Sequence, residues 1–246
     1  MEGRNIRLLI AYDGTDFCGW QRQERERTVQ GVIEQALEKM HGQPVNLTGC
    51  GRTDSGVHAA GQTANFYTNI DSIPADRFAP ALNSLLPPDV RVLEACQEKA
   101  EFHARFSAVS RTYRYQFLCR PALPHESRYH LRLYRFPRLD VLNAYGRLLF
   151  GETDCSLFSA SGDTSKSKHR YIHRAYFFAE GDRLIFEVCA NAFLQKMVRS
   201  ITGTFLHYEE AQTPPERLRE IIASKERSLA GPTLPAHGLF LWHVEY

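Results

Sequence analysis

The chain lacks most of the signatures that would assign it to a large enzyme class. Cys18, Cys50, Cys96, Cys119, Cys155 and Cys189 are scattered, and no two form C-x-x-C. That spacing argues against a zinc site and gives no disulfide framework, so buried free thiols are expected. No apolar run approaches the roughly 20 residues needed to span a bilayer. Met1-Glu2-Gly3-Arg4-Asn5 leads straight into a strand and has no signal-peptide pattern, so a soluble, cytoplasmic protein is expected. Gly49-x-Gly51 meets Asp54 where a dinucleotide fingerprint needs its third glycine. G-x-x-x-x-G-K-[ST] and G-x-S-x-G are missing, which leaves no support for a nucleotide cofactor or a serine nucleophile. An excess of charge is missing too. A net charge of +2 permits an acidic partner without demanding one.

What is present is globular: 246 residues with 43% hydrophobic and 24% charged content, enough for one large domain or two of ordinary size. The densest chemistry lies in Gly49-Cys50-Gly51-Arg52-Thr53-Asp54-Ser55-Gly56-Val57-His58-Ala59-Ala60-Gly61-Gln62. Four glycines in so short a stretch mark backbone that turns sharply or approaches something closely. Strand-like segments flank it, Val45–Thr48 before and Gln62–Tyr67 after, with Ala64 and Phe66 sharing a face with Gln62. A carboxylate is thereby placed on a tight loop between two framework elements.

Elsewhere the periodicity is plain. Ile6–Tyr12 reads as a buried strand broken by Asp13-Gly14. Phe17-Cys18-Gly19-Trp20-Gln21-Arg22-Gln23 is an aromatic and polar loop, suited equally to a nucleic-acid backbone and to solvent with its Trp in the core. Thr28 caps a predicted helix through Met40, whose Val29, Val32, Ile33, Ala36, Leu37 and Met40 follow helical spacing, and Gly42 ends it. Ala75–Leu86 predicts a second helix stopped by Pro87-Pro88, and Val90–Glu98 a further strand. Strand–helix–strand–strand–helix–strand is a ferredoxin-like order. It predicts an N-terminal α/β subdomain over residues 1–105 that carries the Asp54 loop, and a C-terminal α/β subdomain over 106–246.

In the second half, Phe102–Ala108 reads as a basic, aromatic linker. Arg111–Phe117 alternates, with Tyr113, Tyr115 and Phe117 on one face, as core or as a stacking platform interleaved with arginine. Pro121–Pro137 reads as loop-rich and Gly162–Arg170 as a flexible basic stretch. Tyr171–Phe178 and Leu184–Cys189 predict a hairpin. His169-x-x-x-His173 falls on that strand and lacks the glutamate of H-E-x-x-H, so no metal is assigned. A helix is predicted to open at Asn191, with Lys196, Arg199 and Gly203 on a basic strip, and a capping box at Thr213-Pro214-Pro215-Glu216. Ala236–Val244 reads as a terminal strand.

Several of these segments together carry a resemblance. Arg52-Thr53-Asp54-Ser55-Gly56-Val57-His58-Ala59 resembles the catalytic signature of the TruA family of tRNA pseudouridine synthases, R-T-D-[AS]-G-V-H-A. In family order come Tyr12-Asp13-Gly14 with Phe17-x-Gly19-Trp20-Gln21, then Arg111-x-Tyr113-x-Tyr115, Asn191-Ala192-Phe193 with Met197-Val198-Arg199, and Gly238-Leu239-x-Leu241. The resemblance implies two α/β subdomains with mixed or antiparallel sheets facing a central cleft, the pseudouridine synthase fold, and a homodimer. It implies isomerisation of uridine to pseudouridine at positions 38 to 40 of the tRNA anticodon arm, without a cofactor. That chemistry breaks the N1–C1′ glycosidic bond and rejoins the base through C5, and a carboxylate suits it as nucleophile. The implied roles are Asp54 as nucleophile, Arg199 as the cation pointing at it, Tyr113 against the uracil, Leu239 walling the uracil pocket and Arg52 beside the flipped base. The loop with Gln21 and Arg22 is implied to touch RNA, with Lys196 added from its basic strip. Ser55 stands where many members have Ala, and the loop after Trp20 is short. A paralogue acting on ribosomal RNA, a non-catalytic RNA-binding or chaperone protein on the same fold, and an acid–base hydrolase are the rival readings. The hydrolase lacks an evident second carboxylate in the motif, and pure binding needs no nucleophile.

Overall fold

The computed structural model describes residues 3–246, so Met1 and Glu2, at the head of the first predicted subdomain, lie outside the described residues. The described chain is mixed α/β and gathers into two compact units, one of residues 3–109 with 241–246 and one of 110–240. The boundary between the two units falls after Val109, and the chain from Leu241 onward groups with the first unit.

In the first unit, β1 (Arg4–Tyr12), α1 (Val29–His41), β2 (Thr48–Gly49), β3 (His58–Thr68), α2 (Phe78–Asn83) and β4 (Val90–Glu98) follow in order. The β1–β4, β1–β3 and β2–β3 pairs are antiparallel, in the order β4-β1-β3-β2 of a ferredoxin-like arrangement. Ile6 faces Phe66 and Leu8 faces Ala64 across the β1–β3 pair, and all four are buried beside Val29, Ile33 and Leu37 of α1 and Phe78 and Leu82 of α2. Phe66 meets Phe78 edge-on at 5.5 Å. Helix α1 forms as its spacing predicts: the Thr28 side chain accepts from the Gly31 amide at 3.4 Å, and Gly42 ends the helix at φ +67°. The second predicted helix is shorter, a 3₁₀ turn over Ala75–Arg77 followed by α2.

The opposite sheet face is not left to solvent. Asn5 donates to the carbonyls of Lys99 (2.9 Å) and Phe102 (2.8 Å), Asn65 accepts from the Ala104 amide (2.9 Å), and Tyr67 donates to Ala100 O (2.7 Å). The segment predicted as a linker is therefore strapped across the first sheet. Its buried amides and carbonyls find partners on asparagines too far away in sequence to be anticipated.

The second unit contains β5 (Ser110–Leu118), β6 (Leu131–Arg132), α3 (Leu139–Arg147), β7 (Gly151–Asp154), β8 (His169–Glu180), β9 (Arg183–Ala190), α4 (Met197–Glu210) and α5 (Pro215–Ser224). Its sheet runs β5-β9-β8-β7, antiparallel, with short β6 parallel to β5. Tyr115 faces Phe186 and Phe117 faces Leu184. Phe186 stacks with Phe177 at 4.5 Å, and Phe205 of α4 packs against Phe177, Phe186 and Tyr145 of α3. On the other face Glu187, 3% exposed, binds Arg114 at 2.8 Å, Arg174 at 2.9 Å and Tyr176 at 3.0 Å. Burial works against that carboxylate, but the two guanidiniums and the phenol outweigh it and hold its pKa below the usual range. The terminal strand, β10, covers Leu239–Glu245 after a 3₁₀ turn over Ala236–Gly238. No helix among the described residues is long and apolar enough to cross a membrane.

Candidate active site

The Asp54 loop bridges β2 and β3 and is held by the chain that follows β1. The β1–β3 register shifts between Ile10 and Tyr12, which re-aims Tyr12 toward the loop. The Tyr12 hydroxyl then lies 2.8 Å from Thr53 Oγ1. Tyr12 is buried, and that burial pushes its pKa far above the ordinary phenol value, leaving it a neutral partner at any working pH. Thr53 O accepts from the Trp20 amide at 3.1 Å, and Gly19, at φ +87°, passes so close that a Cβ there would sit 2.6 Å from the same oxygen. Phe17 O accepts from the Ser55 hydroxyl at 3.2 Å and the Gly56 amide at 3.3 Å, and the Val57 amide closes the turn onto Asp54 O at 3.1 Å. Gly56 takes φ +76°, as the turn requires. Asp54 is half-buried, and the side chains of Thr53 and Ser55 on either side of it are hydrogen-bonded. Trp20 itself is in the core, its indole against Gly49.

Gln21, predicted to contact RNA, and Arg52, predicted beside the flipped base, are brought together, with Arg52 Nε donating to Gln21 Oε1 at 3.0 Å. Exposed Arg22 pairs with Glu34 of α1 at 3.0 Å.

The second unit positions its residues from β5 and α4. Tyr113 is 8% exposed and meets Phe193 edge-on, 4.9 Å between ring centroids. Tyr115 is core, donating to Pro235 O at 2.7 Å, and a Cβ on Gly238 would lie 2.6 Å from its ring. Burial raises the Tyr115 pKa, and the Arg199 guanidinium partly opposes the rise. Leu239, buried, follows Gly238 directly.

Helix α4 begins at Met197, not Asn191. The buried Asp163 carboxylate accepts from the Gln195 amide at 2.7 Å, and Lys196 takes left-handed backbone at φ 59°, so the chain enters the helix through a corner. The same carboxylate binds Lys168 and the Ser165 amide, which ties down the loop predicted as flexible. Burial opposes this charge, but the ammonium and the two amides hold it well below the usual range. The predicted basic strip is absent. Lys196 is exposed and outside the helix, and a Cβ on Gly203 would stand 1.8 Å from Pro232 O. Residues 231–234 cover that strip, and Arg199 Nε donates to Leu234 O at 2.6 Å while the Arg199 carbonyl accepts from the Leu234 amide at 3.3 Å. The Nε bond anchors the Arg199 guanidinium to the 231–234 segment.

Residues 8–107 and 146–246 match the model of a family described as tRNA pseudouridine synthase. A tRNA pseudouridine synthase A of Treponema denticola is 53% identical over 249 residues, covering 99% of this chain and 93% of that protein. One of Treponema pallidum is 49% identical over 235 residues, covering 93% and 84%. One of Caldicellulosiruptor saccharolyticus is 44% identical over 249 residues, covering 99% and 100%. The chain belongs to the tRNA pseudouridine synthases. Like the other members, this tRNA pseudouridine synthase is an isomerase with a mixed α/β fold.

Its predicted site residues form two groups. Asp54, Arg52, Gln21 and Arg22 belong to the first unit, and Tyr113, Arg199, Lys196 and Leu239 to the second. Three residues with a clear place in the geometry were not assigned from sequence: Tyr12, His58 and Phe193. Each stands inside a quoted motif, and what was missing was the partner, at a distance of between 41 and 80 residues in the chain. No group of three or more His, Cys, Asp or Glu side chains among the described residues could hold a metal ion.

Proposed function

We propose that this synthase converts uridine to pseudouridine in the anticodon arm of tRNA, at positions 38 to 40, with Asp54 as its nucleophile. The observation that supports the reading is the Asp54 loop. A half-buried carboxylate lies between Thr53 and Ser55, and both neighbours are fastened to a rigid segment over residues 12–20. A nucleophile held in one geometry needs little reorganisation at the moment of attack. Arg199 serves as the permanent cation of the reaction, with its guanidinium anchored to Leu234 O. Tyr113 stands against the uracil, backed by Phe193, and Leu239 supplies an apolar wall. A stacked base leaves the helix at a cost of about a few kcal/mol, and Arg52, steadied by Gln21, takes its place or holds a phosphate. Lys196 and Arg22 add phosphate contacts from exposed positions. No cofactor enters, since the isomerisation has no redox change and transfers no group between molecules. The enzyme acts as a cytoplasmic homodimer.

Mapping by carbodiimide modification and primer extension on tRNA transcripts tests the substrate. Stops confined to positions 38 to 40 are expected after incubation with enzyme. Stops elsewhere in tRNA, or in ribosomal RNA alone, would overturn the assignment. Light scattering at micromolar concentration tests the dimer, and a monomer mass would refute it.

A further inference from the structure

We propose that His58 is a positioning residue of this site, whose unprotonated Nδ1 accepts the Gly14 amide and so fixes the far end of the Asp54 loop. The proposal rests on the reading of Asp54 as nucleophile. The near end of the loop is fixed at Thr53 by Tyr12. The far end is held by a histidine ring. There the loop enters β3 at His58, which is wholly buried, and the Gly14 amide points at His58 Nδ1 from 3.0 Å. A Cβ on Gly14 would lie 2.0 Å from Val57 O, so only glycine lets the two backbones approach closely enough for that bond. One short segment, Tyr12 to Gly14, thereby grips both ends of the loop that carries the carboxylate.

The protonation state follows from the donors present. Nδ1 also lies 3.2 Å from Asp13 Oδ1, and it cannot serve both neighbours at once. A proton on Nδ1 would go to Asp13 and leave the buried Gly14 amide without its acceptor. Asp13 Oδ1 already accepts from the Thr15 amide at 3.0 Å and the Thr15 hydroxyl at 2.6 Å, whereas the Gly14 amide has Nδ1 in good geometry. With Nδ1 as the acceptor of the Gly14 amide, the ring proton lies on Nε2. Its service to catalysis is geometric, since the His58 ring holds the Gly14 backbone of the gripping segment and not the substrate.

Two variants and one spectrum test this. His58→Leu removes the acceptor, and His58→Asn keeps one, because an asparagine Oδ1 sits where Nδ1 does. With both folded by circular dichroism, His58→Leu is expected to lower kcat about 30-fold or more with KM for tRNA within about twofold, the scale of a misplaced catalytic group. His58→Asn is expected to stay within about threefold of wild type. Full activity of His58→Leu, a loss that appears in KM instead, or an inactive but folded His58→Asn would each overturn the proposal. Should His58→Leu not fold, ¹⁵N-histidine NMR of the wild-type enzyme decides. An unprotonated His58 Nδ1 coupled to an exchange-protected Gly14 amide is expected, and a protonated Nδ1 overturns the proposal. Asp54→Asn runs alongside. If that variant turns over, the reading of Asp54 fails, and His58 has nothing to position. If Asp54→Asn is dead while His58→Leu is fully active, the proposal alone fails.

Discussion

Gly49→Ala perturbs the scaffold that carries Asp54 through a single buried side chain, Trp20. Gly49 has ordinary backbone, so alanine meets no conformational penalty there. The penalty is contact. An added Cβ would stand 2.5 Å from Trp20 Cε2 and Nε1 and 2.6 Å from Cζ2, where carbon atoms rest at about 3.5–4.0 Å. The indole must retreat by about 1 Å, and Trp20 is 2% exposed, with the Tyr12 ring 6.0 Å away. Overpacking of this kind costs about 1–3 kcal/mol. At about 2–4 °C per kcal/mol for a chain of this size, Tm falls by about 2–12 °C. The Trp20 amide also holds Thr53 O, so the retreat is passed to the residue before Asp54. A 1 Å misplacement costs up to about 100-fold in rate, and a fall in kcat of about tenfold or more is expected with little change in RNA binding. Gly51→Ala is the internal control, since nothing lies within 4 Å of its added Cβ, and its Tm should stay within about 1 °C of wild type. Melting curves with tritium-release kinetics read both variants. Wild-type Tm and kcat in Gly49→Ala would refute the claim that Trp20 braces the loop.

Arg199→Lys keeps the charge but loses the planar fork and its Nε bond to Leu234. A kcat lower by about 10–100-fold in a folded protein is expected, and near-normal turnover would show that charge alone suffices. Stability should also depend on acid in a defined window. Glu126 is held down to about 2, from an ordinary 4.5, by the two-pronged Arg120 contact and then by the Leu123 amide. Because the native value is the lower one, the stabilisation is complete above pH 4.5 and lost as pH falls toward 2. Tm measured against pH should be flat near neutrality and drop in that range, with a smaller drop in Glu126→Gln; an unchanged slope in that variant would remove Glu126 from the account.

How much of this was legible in the sequence depends on how far each partner lies along the chain. Helix α1 was legible because its cap, its apolar stripe and its terminal glycine all fall within Thr28–Gly42. The strand expected over Val45–Thr48 shrinks to Thr48–Gly49. Glu34, buried in α1, takes the Leu47 amide at 3.1 Å, and Gln30 takes the Leu47 carbonyl at 3.0 Å, so helix side chains satisfy backbone that would otherwise pair in the sheet. The capping box at Thr213 does not form. Pro214 is the cap residue, while Thr213 spends its backbone on Tyr208 and the Tyr145 hydroxyl. The start of α4 was misplaced for the same reason, since Asp163 sits 32 residues before the amide it captures. The turn that carries Asp54 and Arg52 was legible because dense polar residues among glycines mark a built turn, while the roles proposed for them come from the resemblance. Tyr12 and His58 were not, since their work is visible only once β1 and β3 are paired.

Tritium release from tRNA labelled at uridine C5 tests the central claim most directly, because rejoining the base through C5 expels that hydrogen to water. Wild-type enzyme is expected to release tritium, and Asp54→Asn to release none while binding tRNA with unchanged affinity. Release by Asp54→Asn at a rate near that of wild type would contradict the assignment of the nucleophile.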